Sequence, residues 1–312
     1  MDKIIDLNAY PVSNLLKLLL KDKTTKQNII FATSVYSTDE NPIKETDQMT
    51  ETILRGFNSC EIQPRVLKSQ EQQQERTKAK AEVFTPSWIC NKMNNHCDEE
   101  WFGRTGIFNI ELENGWKVTN SPVPFEREGD WMKYIDSKRL EITCGEAPYI
   151  VSRYDAATGE LIEIGKRIGI LDRKLRVVNE NTDNEADWFK WVLRAYQSVY
   201  GYEFQGDNLL IARINLLVTF VDYMQDRWGR VPTDTELRKI ANVIVWNLWQ
   251  MDGMTGTVPF GKPKEQYRQY SLFDFVVSDE AYDEEKQPDK ECRIYDWRSD
   301  RSLTYRSIKE GY

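Results

Sequence analysis

Histidine is almost missing from this chain: His96 is the single one among 312 residues, and the five cysteines (Cys60, Cys90, Cys97, Cys144, Cys292) form no CxxC pair. A zinc site needs three or four convergent ligands, so no metal centre is expected. Cysteines of odd number and irregular spacing read as reduced cytosolic thiols, not as a disulfide framework. Long hydrophobic runs are missing too. The longest, around 209–220, is interrupted by Arg213 and Asn215 and is too short to span a bilayer. The start, Met1-Asp2-Lys3-Ile4-Ile5-Asp6, lacks a basic region followed by an apolar one, which argues against a signal peptide. A cytoplasmic protein with no membrane partner is the expectation. Excess positive charge is also lacking, since 42 Lys and Arg face 50 Asp and Glu for a net charge of −8. Phosphate contacts need clustered basic residues, so this chain alone is not expected to hold duplex DNA tightly.

What is present is globular. Hydrophobic residues make up 40% and aromatics 12%, enough for one large or two smaller cores. Residues 1–75 read as a mainly helical extension with an apolar face at Leu15, Leu16, Leu18, Leu19 and Leu20, and 76–312 as the principal domain. The stretch Gln70–Lys80 reads as a polar helix or linker with a solvated face. Thr85 and Pro86 suit the cap and first position of a helix whose apolar side would carry Ile89, Met93 and Cys97. A short strand is predicted over 139–143, ending in a Cys144-Gly145-Glu146 turn. Residues 156–178 lack helical periodicity and read as an inserted excursion.

Thr182-x-x-Glu185 and Thr233-x-x-Glu236 are capping boxes that open helices, the second ending near Met251-Asp252-Gly253. Between those two helices lie a strand at 199–204 and a helix capped by Asp207. The polar stretch 261–291 reads as a loop, and 292–297 as a last strand. Strands alternating with helices argue for an α/β fold with a parallel sheet.

Ligands of such sheets bind outside the carboxyl ends of the strands. A glycine just past the first strand lets backbone approach a ligand without an intervening Cβ. In Glu141-Ile142-Thr143-Cys144-Gly145-Glu146-Ala147-Pro148-Tyr149, Gly145 holds that place. In Gly201-Tyr202-Glu203-Phe204, Glu203 ends the next strand, where a carboxylate can accept from ribose hydroxyls. Glu82-Val83-Phe84-Thr85-Pro86 lies upstream of both.

The order and spacing of these segments, with the Asn208-Leu209-Leu210 helix, resemble the N-terminal half of gamma-type adenine-specific (N6) DNA methyltransferases of restriction–modification systems, over roughly 80–260. The phrases at 81–94 and 140–152 are similar to a bacterial and phage subfamily of modification subunits. The resemblance implies a Rossmann-like methyltransferase sheet binding S-adenosylmethionine, with Phe84, Thr85 and Pro86 beside the methionine end. It also implies donor contacts from Glu141, Thr143, Cys144, Gly145, Glu203 and Phe204. Asp252 or Asp296 would meet the donor adenine, and Asp296, just ahead of the family's catalytic motif, is preferred. The chain departs from the family pattern at Ala147, where a second Gly is usual, at Ile142, where Pro is usual, and in a long spacer between the first two donor segments.

The family's Asn-Pro-Pro-Tyr or Asp-Pro-Pro-Tyr tetrapeptide occurs nowhere in the sequence. Such enzymes flip the target adenine, direct its amino lone pair at the donor methyl and stack the ring on the tyrosine. Without that motif no catalytic residue is expected here. The resemblance then implies a donor-binding half, with DNA and a C-terminal half or second subunit as partners. The alternative is a non-catalytic donor-binding, regulatory or decoy module of a restriction system. The family's fourth strand lies beside the first, so its absence would leave the 139–143 strand with an open edge that invites self-association.

Overall fold

The computed structural model describes residues 4–39, 41–57, 59–80, 85–261 and 291–309. It is a mixed α/β protein built on a three-stranded parallel sheet. β3 (Arg139–Ile142), β4 (Val199–Glu203) and β5 (Leu248–Gln250) lie in the order β3-β4-β5. Register pairs Leu140 with Tyr200 and Ile142 with Tyr202, then Tyr202 with Trp249 and Glu203 with Gln250. β4 is buried along its whole length, as a central parallel strand must be.

The two-residue periodicity of β4 divides the core. Val199 joins Leu248 and the apolar faces of α7 (Glu185–Gln197), α8 (Gly206–Trp228) and α9 (Asp234–Asn247). Tyr200 and Tyr202 face the other way, onto Trp249, Met251, Cys292 and Ile294. That second face is covered by an antiparallel hairpin of β6 (Arg293–Asp296) and β7 (Arg301–Thr304), with Tyr305 of α10 (Tyr305–Lys309) against Tyr202 and Trp249. The strand expected near 292–297 therefore exists but pairs with β7 instead of extending the parallel sheet. The segment expected as a loop lies, from 262 to 290, outside the described residues.

Residues 1–75 are far less helical than expected. The described residues among them hold α1 (Val12–Leu19), the five-residue α2 (Glu51–Arg55), a single 3-10 turn and the start of α3 (Gln70–Lys80). Turn formers between 22 and 48 and the prolines at 11, 42 and 64 interrupt longer helices. In α1, Val12, Leu15, Leu16 and Leu19 recur at the spacing of one helical face, and all four are buried in the same core as α8 and α9. Arg213 of α8, fully buried, donates to the carbonyls of Leu19, Lys21 and Leu248, at 2.5, 2.9 and 2.7 Å. One guanidinium thus ties the end of α1 to the start of β5.

Three local expectations change. α4 (Ser87–Phe102) begins one residue later than predicted, and its first N–H is capped from a distance by Asp155 Oδ2 at 2.7 Å. It buries Asn91, Asn94, Asn95 and Asp98, while Met93 is exposed. Polar residues go inside because Arg173, on α6 (Ile170–Asn181), meets Asp98, Asn91 and Asn95 there, and Asn94 donates to the Tyr149 and Ile168 carbonyls. α6 itself occupies the end of the stretch read as an excursion. Its buried side chains include Asp172, Arg173 and Lys174, so charges that look solvent-facing in sequence hide its periodicity. α7 is capped by Asn184, two residues past Thr182; the Thr233–Glu236 capping box forms as predicted. A second hairpin, β1 (Asn109–Leu112) with β2 (Gly115–Val118), and the short α5 (Asp130–Asp136) fill the segment before β3.

Candidate functional site

The carboxyl ends of β3, β4 and β5 converge on Glu203. Gly201 sits in the centre of β4 because a Cβ there would meet Cys144 Cβ at 2.9 Å and Leu248 Cδ2 at 3.0 Å. The missing side chain lets the turn after β3 close over β4, where Cys144 N–H donates to the Tyr202 carbonyl at 2.8 Å. In that turn Gly145 and Ala147 both have positive φ, 51° and 65°. Glycine adopts this conformation freely, whereas an alanine holds it at a cost of roughly 1–2 kcal/mol.

Gly145 N–H donates to Glu203 Oε2 at 2.9 Å, which joins the first turn to the acid that ends the next strand. Glu203 Oε1 accepts from the N–H groups of Phe204 and Gln205, both at 3.0 Å. Burial pushes the Glu203 carboxyl up to about 7, although these three backbone donors favour the ionised form; the nearby Asp207 charge adds to the rise. Glu141, on the same side of β3, is also buried. Its Oε1 accepts from Tyr149 N–H at 3.3 Å, and among the described residues its Oε2 has no hydrogen-bond partner. Burial, with the Glu203 charge adding to it, holds its carboxyl well above the ordinary range.

Other residues expected in the site fall as follows. Cys144 is buried with its thiol raised by burial, and Thr143 is exposed. Phe204 is half-buried, its ring 5.5 Å from Phe260. Thr85 reaches the turn through Tyr149, whose hydroxyl it hydrogen-bonds and whose N–H meets Glu141. Pro86 caps the start of α4, and Phe84, with Glu82 and Val83, lies outside the described residues.

The two adenine-contact candidates separate cleanly. Asp252 follows β5 at the carboxyl edge, its side chain accepting from Met254 N–H at 2.8 Å. Asp296 lies at the opposite end of the sheet, 2.8 Å from Lys138, the residue immediately before β3. The structure does not bring Asp296 to the other site residues, because the hairpin carrying it folds across the sheet face.

Sequence reasoning missed a buried charge cluster beside the site. Asp207, in the first turn of α8, does not cap that helix as expected. Its Oδ2 meets Lys68 Nζ at 3.0 Å, Arg76 Nη1 at 2.9 Å and the Tyr36 hydroxyl at 2.8 Å. Burial alone would raise this carboxyl, but Lys68 and Arg76 hold it below the usual range. Arg76, in the stretch read as a solvated helix face, is 1% exposed. No sequence signal links residues 68, 76 and 207; only tertiary packing does.

The N-terminal segment also borders the site. Gly206 N–H donates to the Phe31 carbonyl at 2.9 Å, and the Gln250 carboxamide pairs with the backbone of Ile30. Among the described residues no group of three or more His, Cys, Asp or Glu is placed to hold a metal ion, and no helix is long and apolar enough to cross a membrane. Comparison with protein-family models, curated proteins and solved structures found no match to this chain.

Proposed function

We propose that this chain is the S-adenosylmethionine-binding part of a gamma-type adenine-specific DNA methyltransferase of a restriction–modification system, with a Rossmann-like sheet. In this reading it works with DNA only alongside a C-terminal half or second subunit. The observation that carries it is the 2.9 Å bond between Gly145 N–H and Glu203 at the carboxyl edge of a parallel sheet. Two segments far apart in sequence, each resembling a donor motif, meet where ligands of such sheets bind. Ala147 supports it further, since alanine there adopts the left-handed backbone that a second glycine of the family pattern would favour.

Glu203 is the ribose acid of this proposal. A carboxylate has about four lone-pair sites. Backbone donors use three of them, leaving one on Oε2 for a ribose hydroxyl, or two if Gly145 yields its bond. Asp252 replaces Asp296 as the group for the donor adenine, because it alone stands at the carboxyl edge. Glu141, its carboxyl held well above the ordinary range by burial, faces the same turn and would approach the methionine moiety.

Calorimetry with S-adenosylhomocysteine on the whole chain tests the reading. Hydrogen bonds to a charged acceptor are worth roughly 1.5–3 kcal/mol, so Glu203→Ala should weaken binding about tenfold or more. Glu203→Gln, which keeps the shape, should weaken it less. The same protein, given labelled donor and mixed genomic DNA, should transfer no methyl group. Equal binding by parent and Glu203→Ala would refute Glu203 as the ribose acid, and turnover by the pure chain would refute the half-enzyme.

A further inference from the structure

Building on the donor-binding reading, we propose that Gln250 is a positioning residue for ribose recognition, holding the peptide that orients the Glu203 carboxylate. The peptide unit joining Phe204 to Gln205 is gripped at both ends. Its N–H, on Gln205, donates to Glu203 Oε1 at 3.0 Å, and its carbonyl, on Phe204, accepts from Gln250 Nε2 at 2.9 Å. A donor on the carbonyl polarises the peptide and strengthens the bond its N–H gives.

The rest of the carboxamide anchors this grip. Gln250 Nε2 also donates to the Ile30 carbonyl at 2.8 Å, and Oε1 accepts from Ile30 N–H at 2.9 Å. Gln250 thus pairs with Ile30 much as a neighbouring strand would, and it is only 3% exposed. Three segments meet at one side chain: the end of β5, the N-terminal segment and the turn carrying Glu203. The grip continues one residue on, where Gly206 N–H reaches the Phe31 carbonyl.

A glutamine that merely filled space would support the fold without touching ligand preference. The distinction is measurable, because the Gln250 side chain reaches the carboxylate through the Phe204–Gln205 peptide. Among the described residues, the charged and titratable groups whose charge is felt between them and Glu203 are Glu141 on β3, Cys144 in its turn, Tyr202 on the opposite face of β4 and Asp207 on α8, with Lys68 and Arg76 behind Asp207. Gln250→Met leaves all of them in place and removes the donor.

The test compares S-adenosylhomocysteine with its 2′,3′-dideoxy analogue by calorimetry on the whole chain. The parent should prefer the ribose compound, and Gln250→Met should narrow that preference about fivefold, the effect of one neutral hydrogen bond. Affinity for the dideoxy compound should stay unchanged. Leu16→Ala, a core substitution in α1, serves as the control that lowers stability and keeps the preference. Carbon-detected titration of Glu203 should show its midpoint moving up in Gln250→Met and not in Leu16→Ala. Gln250→Leu gives a second route should the methionine variant fold poorly. A parent-like preference in the Gln250 variants, or equal narrowing by Leu16→Ala, would overturn the role of Gln250 alone. A parent that does not distinguish the two compounds would overturn the ribose-acid reading itself, and this inference with it.

Discussion

Replacing Glu203 by Gln should remove a pH dependence of stability. The Glu203 carboxyl stands at about 7 in the fold, against 4.5 for an ordinary glutamate. One pKa unit corresponds to about 1.4 kcal/mol, so the folded state resists ionising this group by about 3 kcal/mol. The sign follows from linkage. Below about 4.5 the group is protonated in both states and costs nothing. As pH rises from there to 7, the unfolded chain has released its proton and the folded chain has not, so stability falls; above 7 the full cost is present. For a domain whose net stability is about 5–15 kcal/mol, this is a large share. Urea unfolding of parent and Glu203→Gln at steps between pH 4 and 8 measures it. The parent should lose stability relative to the variant as pH rises, by an amount approaching ~3 kcal/mol. Glu141, also raised by burial, tilts both proteins in the same direction, and Glu203→Gln removes only the part of its rise that comes from the Glu203 charge. A difference independent of pH would refute the assignment of that cost to Glu203.

The remaining predictions concern the framework around the site. Asp207→Asn removes the carboxylate shared by Lys68 and Arg76 and should destabilise by about 3–5 kcal/mol, read as a lower urea midpoint. Gly206→Ala would set a Cβ 2.0 Å from the Ile30 carbonyl oxygen, a backbone atom that cannot step aside. It should cost about 1–3 kcal/mol by denaturant titration, and no loss would mean that the N-terminal segment yields easily. Among the described residues β3 pairs on one side only, and Leu140 and Ile142 are 45% and 62% exposed. Sedimentation of the parent should show self-association that Leu140→Lys with Ile142→Lys abolishes, because charges on an open edge oppose pairing.

Local chemistry was legible in the sequence wherever neighbours in the chain are also neighbours in space. The Thr233–Glu236 box opens α9 because both its hydrogen bonds close within one turn. β3 and β4 appear where short apolar runs end in Cys144-Gly145 and Glu203, and a helix follows Thr85-Pro86. The alternation of these strands with helices determined the mixed α/β class and its parallel sheet. Tertiary structure decided which faces are buried. The polar face of α4 goes inside because Arg173 arrives from α6, and the Tyr149 and Ile168 carbonyls from the chain between, to satisfy it. β5 reads as the end of a helix, since three residues carry too little periodicity to show a strand until β4 pairs with them. Asp296 sits on a good strand in sequence, yet β6 pairs with β7 and carries it to the far end of the sheet. Lys68, Arg76 and Asp207, separated by up to 139 residues, become one buried cluster. Composition and periodicity constrain what a segment can bury or pair with, but the partner that neutralises a buried charge or completes a strand is chosen by the whole packed chain.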